Sequence, residues 1–268
     1  AIGDIIGKHA ISDELRDPIL SAIIDGTVVF ILFTIAYLIF SRSGLPLNII
    51  IVSILSGVFY GVALLLFYKT LMREEVSRAI PMMKTEPLFV LLLATIFLGE
   101  QFTLLKYIGI FLLVIGAMLI SLKKLGKFKV RGALFIALLT ALAFSIRTIL
   151  FKYANNSADT ASLLIWVAVG GLAVSFVLFA NHHPRILKKF KRGIEHLILV
   201  GFLTATGFFF FVMAMSKAQA SLVSSLACVQ LLFVFLIASV LTKIKPKIVR
   251  EELKESALVI KIIAIFII

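Results

Sequence analysis

The sequence predicts an all-α membrane protein: a ten-span helical bundle made of two inverted five-helix repeats, with the first and last helices incomplete. Three observations predict it. Apolar runs of membrane-crossing length recur along the chain, the chain matches itself at a fixed shift, and each copy holds an odd number of runs. Of the 268 residues, 61% are hydrophobic and 15% charged, against roughly 25% charged in soluble domains. Mean hydropathy is +1.13. A soluble fold needs a polar exterior and cannot hide that much apolar surface, whereas lipid accepts it.

A helix needs about 20 residues to cross the hydrocarbon. In chain order, full spans are expected at 18–40, 47–67, 76–98, 104–122, 132–151, 161–180, 196–214 and 219–241. Partial spans are expected at 1–8 and 257–268. No run shows the strict alternation of a barrel strand, and all the full spans are too long for one. The gaps leave no room for a soluble domain. The longest, 242–256, is a charged connector that suits an amphipathic surface helix.

The repeat is read by shifting the chain 144 positions, which aligns it with itself without gaps as far as residue 97. Ile5, Lys8 and Ala10 fall on Ile149, Lys152 and Ala154; Gly26 falls on Gly170, and Gly57 on Gly201. Leu88-Phe89-Val90 falls on Leu232-Phe233-Val234, and Ala94 on Ala238. After an insertion of about eleven residues, Tyr107 to Phe111 lines up with Ile262 to Phe266. The two units are 1–122 and 132–268. Five spans per unit is an odd number, so the second copy sits upside down relative to the first, the inverted repeat of many secondary transporters. The same alignment implies that the sequence is clipped inside its first and tenth helices.

Most of the 27 lysines and arginines fall in alternate loops, densest at Lys123, Lys124, Lys127, Lys129 and Arg131, then at Arg185, Lys188, Lys189, Lys191 and Arg192. The net charge of +13 is therefore explained by anionic lipid and the positive-inside rule rather than by nucleic acid. The rule places these loops in the cytoplasm and both termini outside.

The stretch Glu86-Pro87-Leu88-Phe89 through Phe97-Leu98-Gly99-Glu100 is followed by Lys106-Tyr107-Ile108-Gly109-Ile110 and Gly116-Ala117. It resembles the end of an EamA domain of the drug/metabolite transporter superfamily. The second copy departs from that pattern, with Leu231 for the proline and Thr242-Lys243-Ile244 for Leu-Gly-Glu. The resemblance implies ten helices, a central cavity between the halves, export or exchange of metabolites, and termini in the cytoplasm. On this last point it opposes the loop charges.

Ionisable groups inside spans cost about 2.5–3.5 kcal/mol each at a helix centre, so they tend to face a cavity or a partner. The fourth span holds Pro81-Met82-Met83-Lys84-Thr85-Glu86-Pro87. Pro81 and Pro87 cannot donate to the carbonyls of Ser77 and Met83, so carbonyls are freed where a solute could dock. Lys84 and Glu86 lie about 200° apart on a continuous helix, so one would face the cavity and the other a neighbour. Asp25 is a candidate partner for Lys84, or a site for a coupling proton or cation; its alternative is an interfacial acid near the headgroups. Asp4 sits in the first partial helix and could face the same cavity. Lys8 and Lys152 read as snorkelling lysines. Arg147, one turn inward from Lys152, is a further cavity candidate. In the ninth span Ser221, Ser224, Ser225, Cys228 and Gln230 replace the charges, with Gln230 at the position of Glu86. They could orient a polar solute or join helices. Tyr60 could reach the cavity or simply pack. Ser53, Gly57 and Gly61, echoed by Gly201 and Ala205, read as a helix-packing face. Glu100 reads as a capping or loop-locking acid, and Glu74, Glu75, Arg73 and Arg78 as a solvated loop.

The substrate-binding candidates are thus Lys84, Glu86, Asp25, Tyr60, Ser224 and Gln230. No Gly-Lys-Ser/Thr phosphate loop appears, and neither HExxH nor Gly-x-Ser-x-Gly does. His182-His183 lacks metal-site spacing, and the single Cys228 allows no intrachain disulfide. No cofactor, metal, nucleic acid or enzymatic reaction is expected. The expected partners are a small-molecule substrate, membrane lipids, and a coupling proton or cation. The expected function is secondary active transport of small polar metabolites across the cell membrane. The alternatives are a non-transporting polytopic scaffold or assembly subunit, and an intramembrane enzyme.

Overall fold

The computed structural model describes residues 1–40, 44–74, 76–101, 103, 104, 107–112, 115, 131–182, 190–231, 233, 234, 237 and 240. Every element among them is helical. Helix α1 (Ile2–His9) runs into a π-helical turn, Ala10–Leu15. It stops at Arg16, whose φ of 54° is left-handed. Asp17 opens α2 (Pro18–Phe40) by accepting the N–H groups of Ile19 at 3.1 Å and Leu20 at 3.0 Å, satisfying two of the unpaired first-turn donors. Pro18 takes the first helical position, where a missing N–H costs nothing. Helix α3 (Leu47–Arg73) follows. Then come α4 (Val76–Met83) and α5 (Glu86–Phe97), separated by a turn at Lys84–Thr85. The second half holds α6 (Arg131–Asn155), α7 (Thr160–Ala180), α8 (Phe190–Lys217) and α9 (Ala220–Leu226), which passes into a 3-10 turn at Ala227–Val229.

Six segments among the described residues are long and apolar enough to cross a membrane: Pro18–Phe40, Leu47–Arg73, Ala79–Phe97, Gly132–Asn155, Thr160–Ala180 and Phe190–Lys217. Leu47–Arg73 and Phe190–Lys217 outrun the spans expected at 47–67 and 196–214, because their charged ends continue the helix beyond the apolar stretch. Most of the span expected at 104–122, the end of 219–241, the connector 242–256 and the partial span 257–268 lie outside the described residues. So do Glu75 and His183.

Small residues carry the seam between the halves. A Cβ on Gly57 of α3 would stand 2.0 Å from the Val167 carbonyl oxygen of α7; one on Gly170 of α7 would stand 2.0 Å from that of Ile54. Helix α2 lies across the same pair, with Gly171 against the Phe30 ring, and meets α8 where Gly201 faces Val28. Without a hydrophobic drive between helices in lipid, such backbone contact is what holds them. Leu38, Ile96, Phe176 and Phe210 point outward, as lipid permits.

The 144-residue register reappears as geometry. Lys8 Nζ donates to the carbonyls of Leu71 and Glu74. Lys152 Nζ donates to those of Met215, at 2.7 Å, and Ala218, at 3.0 Å; all three positions are the shifted counterparts. These lysines do not snorkel, as the sequence had suggested; each caps the C-terminal carbonyls of the third helix of its own repeat. The contacts between halves are reciprocal. Glu86 accepts from Thr148 at 3.3 Å, and Asp4, the counterpart of Thr148, accepts from Gln230, the counterpart of Glu86, at 2.6 Å. Cys228 Sγ lies 3.7 Å from the carbonyl oxygen of its own counterpart, Lys84. Reciprocal contacts, and a position that meets its own equivalent, are the marks of a two-fold axis.

Candidate functional site

The site is built by the interruption of the fourth span. Lys84 N–H donates to Ile80 at 2.9 Å and closes α4; Leu88 N–H donates to Thr85 at 3.1 Å and starts α5. Pro87 sits in the first turn of α5, where its missing donor is harmless. A continuous helix would send Lys84 and Glu86 in different directions. The turn between them re-aims the chain: both residues line one cavity, and Glu86 also meets Arg147 and Thr148 of α6.

That cavity lies between the halves and has a volume of about 750 Å³. Asp25, Tyr60, Lys84, Glu86, Ser224 and Gln230 all line it, together with Asp4, Arg147 and Thr204. Asp25 is 1% exposed, enclosed by protein. Its backbone lies under α8 at Gly201, and Tyr68 Oη donates to its Oδ2 at 3.0 Å. Tyr68, not Lys84, is therefore its partner, and its Oδ1 makes no hydrogen bond. Tyr60 both packs and lines: its ring stacks on Phe208 at 5.2 Å and meets Phe30 edge-on at 5.6 Å.

Arg147 is 5% exposed and enters the cavity from α6. One guanidinium nitrogen stands 3.8 Å from Glu86 Oε1. The guanidinium carbon lies 5.3, 5.4, 4.7 and 5.5 Å from the ring centroids of Tyr60, Phe144, Phe208 and Phe211. Ring faces attract the cation and offset part of its desolvation.

The other polar residues of the ninth span divide. Ser224 and Ser225 return their hydroxyls to the carbonyls of Ser221 and Leu222, at 3.0 and 2.9 Å, a local competition that loosens a helix. Ser221 donates to Glu100 Oε2 at 3.0 Å, while Ala220 N–H donates to Oε1 at 2.9 Å. Glu100 thus caps α9, the structural role its place at a helix end suggested. Cys228 is buried behind the cavity wall.

Sequence reasoning did not find Tyr68 or the ring box around Arg147, because both depend on helices far apart in the chain. It also missed a polar cluster at the end of α1. There Glu14, 2% exposed, meets His196 Nδ1 at 2.7 Å, His9 Nε2 at 3.8 Å and Arg192 Nε at 3.9 Å. No group of His, Cys, Asp and Glu among the described residues could hold a metal ion.

Helices that cross a membrane several times, repeated about a two-fold axis around a charged cavity, define a multi-pass membrane protein of duplicated architecture. The chain belongs to the EamA-like transporter family, whose profile matches residues 1–122 and 131–268. None of the curated proteins compared matches it. Among solved structures, the crystal structure of one protein overlays with a TM-score of 0.66, covering 99% of this chain and 92% of its own, at 14% identity. That likeness is one of fold.

Proposed function

We propose that the protein is a secondary active transporter that exports or exchanges small polar metabolites across the cell membrane by alternating access. Ten spans form two five-helix halves of opposite orientation, which rock about the cavity between them. The observation that carries this reading is the cavity itself: about 750 Å³, bounded by both halves, and lined by Lys84, Glu86, Asp25, Tyr60, Ser224 and Gln230. Ionisable groups at membrane depth are retained where a solute must meet them.

The contacts of Glu86 with Arg147 and Thr148, and of Asp4 with Gln230, cross between the halves. A buried charge must keep a partner, so a solute that takes over one of these contacts leaves the other half free to move. Asp25, with one carboxylate oxygen unbonded, takes the coupling proton or cation. The reading assigns no covalent step to the chain and no cofactor.

The test is uptake and efflux in proteoliposomes with a panel of metabolites. Glu86→Gln keeps the fold and abolishes or uncouples flux. Normal flux by that variant removes Glu86 from the site, and no flux of any solute by the unaltered protein favours a scaffold.

A further inference from the structure

The charged groups of the cavity are not equally spent, and the imbalance indicates what it binds. Three carboxylates line it, and each accepts one hydrogen bond from an uncharged donor: Asp4 from Gln230 at 2.6 Å, Asp25 from Tyr68 at 3.0 Å, and Glu86 from Thr148 at 3.3 Å; Asp25 Oδ1 stays unbonded, the position given above to the coupling proton or cation. The two side-chain cations have no such bonds. Among the described residues the Lys84 side chain makes neither a hydrogen bond nor an ion pair; only its backbone is bonded. Arg147 touches Glu86 only at 3.8 Å, beyond hydrogen-bond range, and its buried Nε has no partner.

A guanidinium carries five N–H donors in one plane and a lysine ammonium three. The rings around Arg147 attract its charge but do not take the place of oxygen acceptors for that fork. A guanidinium so buried and so little bonded is completed by an acceptor that presents two oxygens in a plane, which is a carboxylate. Lys84, on the other half, adds a second positive charge to the same cavity. The walls beside Arg147 are aromatic, Tyr60, Phe144, Phe208 and Phe211, and accept a flat apolar body by stacking and edge contacts.

We infer that the cavity takes an organic monoanion, a carboxylic acid with a flat apolar body, its carboxylate held by Arg147 and Lys84 and its body by the aromatic walls. The inference rests on the transport reading only in requiring that solute reaches the cavity.

The test is isothermal titration of the purified full chain in detergent with four probes: phenylacetate, its neutral isostere phenylacetamide, the cation 2-phenylethylamine, and acetate. Phenylacetate should bind at least about tenfold more tightly than each of the others, since a charge-assisted bidentate contact is worth that much. Arg147→Gln, checked for cooperative melting, should erase the preference for phenylacetate over phenylacetamide, and Arg147→Lys should restore part of it. Lys84→Gln should reduce it less. Absence of phenylacetate binding, equal or tighter binding of the amide or amine, or an unchanged preference in folded Arg147→Gln overturns the inference. If Arg147→Gln does not fold, the comparison of acid with amide on the unaltered protein decides. Proteoliposome flux separates the two readings. Flux of some other solute without phenylacetate binding sinks the inference and keeps the transporter. Phenylacetate binding with no flux of any solute keeps the site and sinks the transporter.

Discussion

The fourth span and its counterpart in the second repeat make the same interruption by different means. In the first, Pro87 cannot donate to Met83, and the helix breaks at Lys84–Thr85. In the second there is no proline; Leu231 stands at that position, and the helix tightens into a 3-10 turn at Ala227–Val229. Serine hydroxyls bonded back to their own carbonyls accompany it. The architecture is two-fold but the chemistry is not. Glu86 is matched by Gln230, Lys84 by Cys228, Asp25 by Val169, and Arg147 by Gly3. On the proposed transport reading, a symmetric frame would let the halves exchange roles, and an asymmetric lining would let one solute be recognised. The acid even changes sides: Glu86 on the broken helix meets Thr148, whereas Asp4 on the first helix meets Gln230.

The symmetric frame breaks most severely at its glycine contacts. With a Cβ set 2.0 Å from a carbonyl oxygen, Gly57→Leu and Gly170→Leu should each cost about 3 kcal/mol or more, or prevent folding. Gly109→Ala, in a helix where nothing lies within 4 Å, should cost no stability and should raise the melting temperature slightly. Next come the paired caps. Lys8→Met and Lys152→Met each strip two carbonyls of a donor and should destabilise by similar amounts, about 1–3 kcal/mol in thermal or denaturant unfolding. A large effect at one and none at the other would show that the two-fold relation is only approximate in energy. Glu100→Ala removes the cap of α9 and should cost about 1 kcal/mol. Smallest is Cys228→Ala, which gives up a weak sulfur contact of 3.7 Å to Lys84 and should cost at most about 1 kcal/mol.

Much of the frame was legible because lipid simplifies the code. Apolar length sets the spans, and Pro87 beside Lys84 and Glu86 marks the broken helix and its charges. The register was legible in Lys8 and Lys152, though their role was not. A lysine at a helix end suits snorkelling and capping equally until the Leu71 and Met215 carbonyls are known to lie beside it. The 3-10 turn at Ala227–Val229 left no proline to read. The burial of Asp25 depends on Tyr68, 43 residues away, and on the close passage of α8 at Gly201. The box around Arg147 gathers rings from α3, α6 and α8. Periodicity within one span cannot report contacts of that kind.

The claim beneath all of this is that solute from water enters the seam between the halves. It is tested most directly by thiol labelling in proteoliposomes with a membrane-impermeant reagent, in a Cys228→Ala background. Thr204 lines the cavity at the counterpart of Tyr60, and Thr204→Cys should react from the aqueous phase. Ser53→Cys, fully buried in the α3 packing face, should not. A folded Thr204→Cys protein as inert as the Ser53→Cys protein would contradict the account.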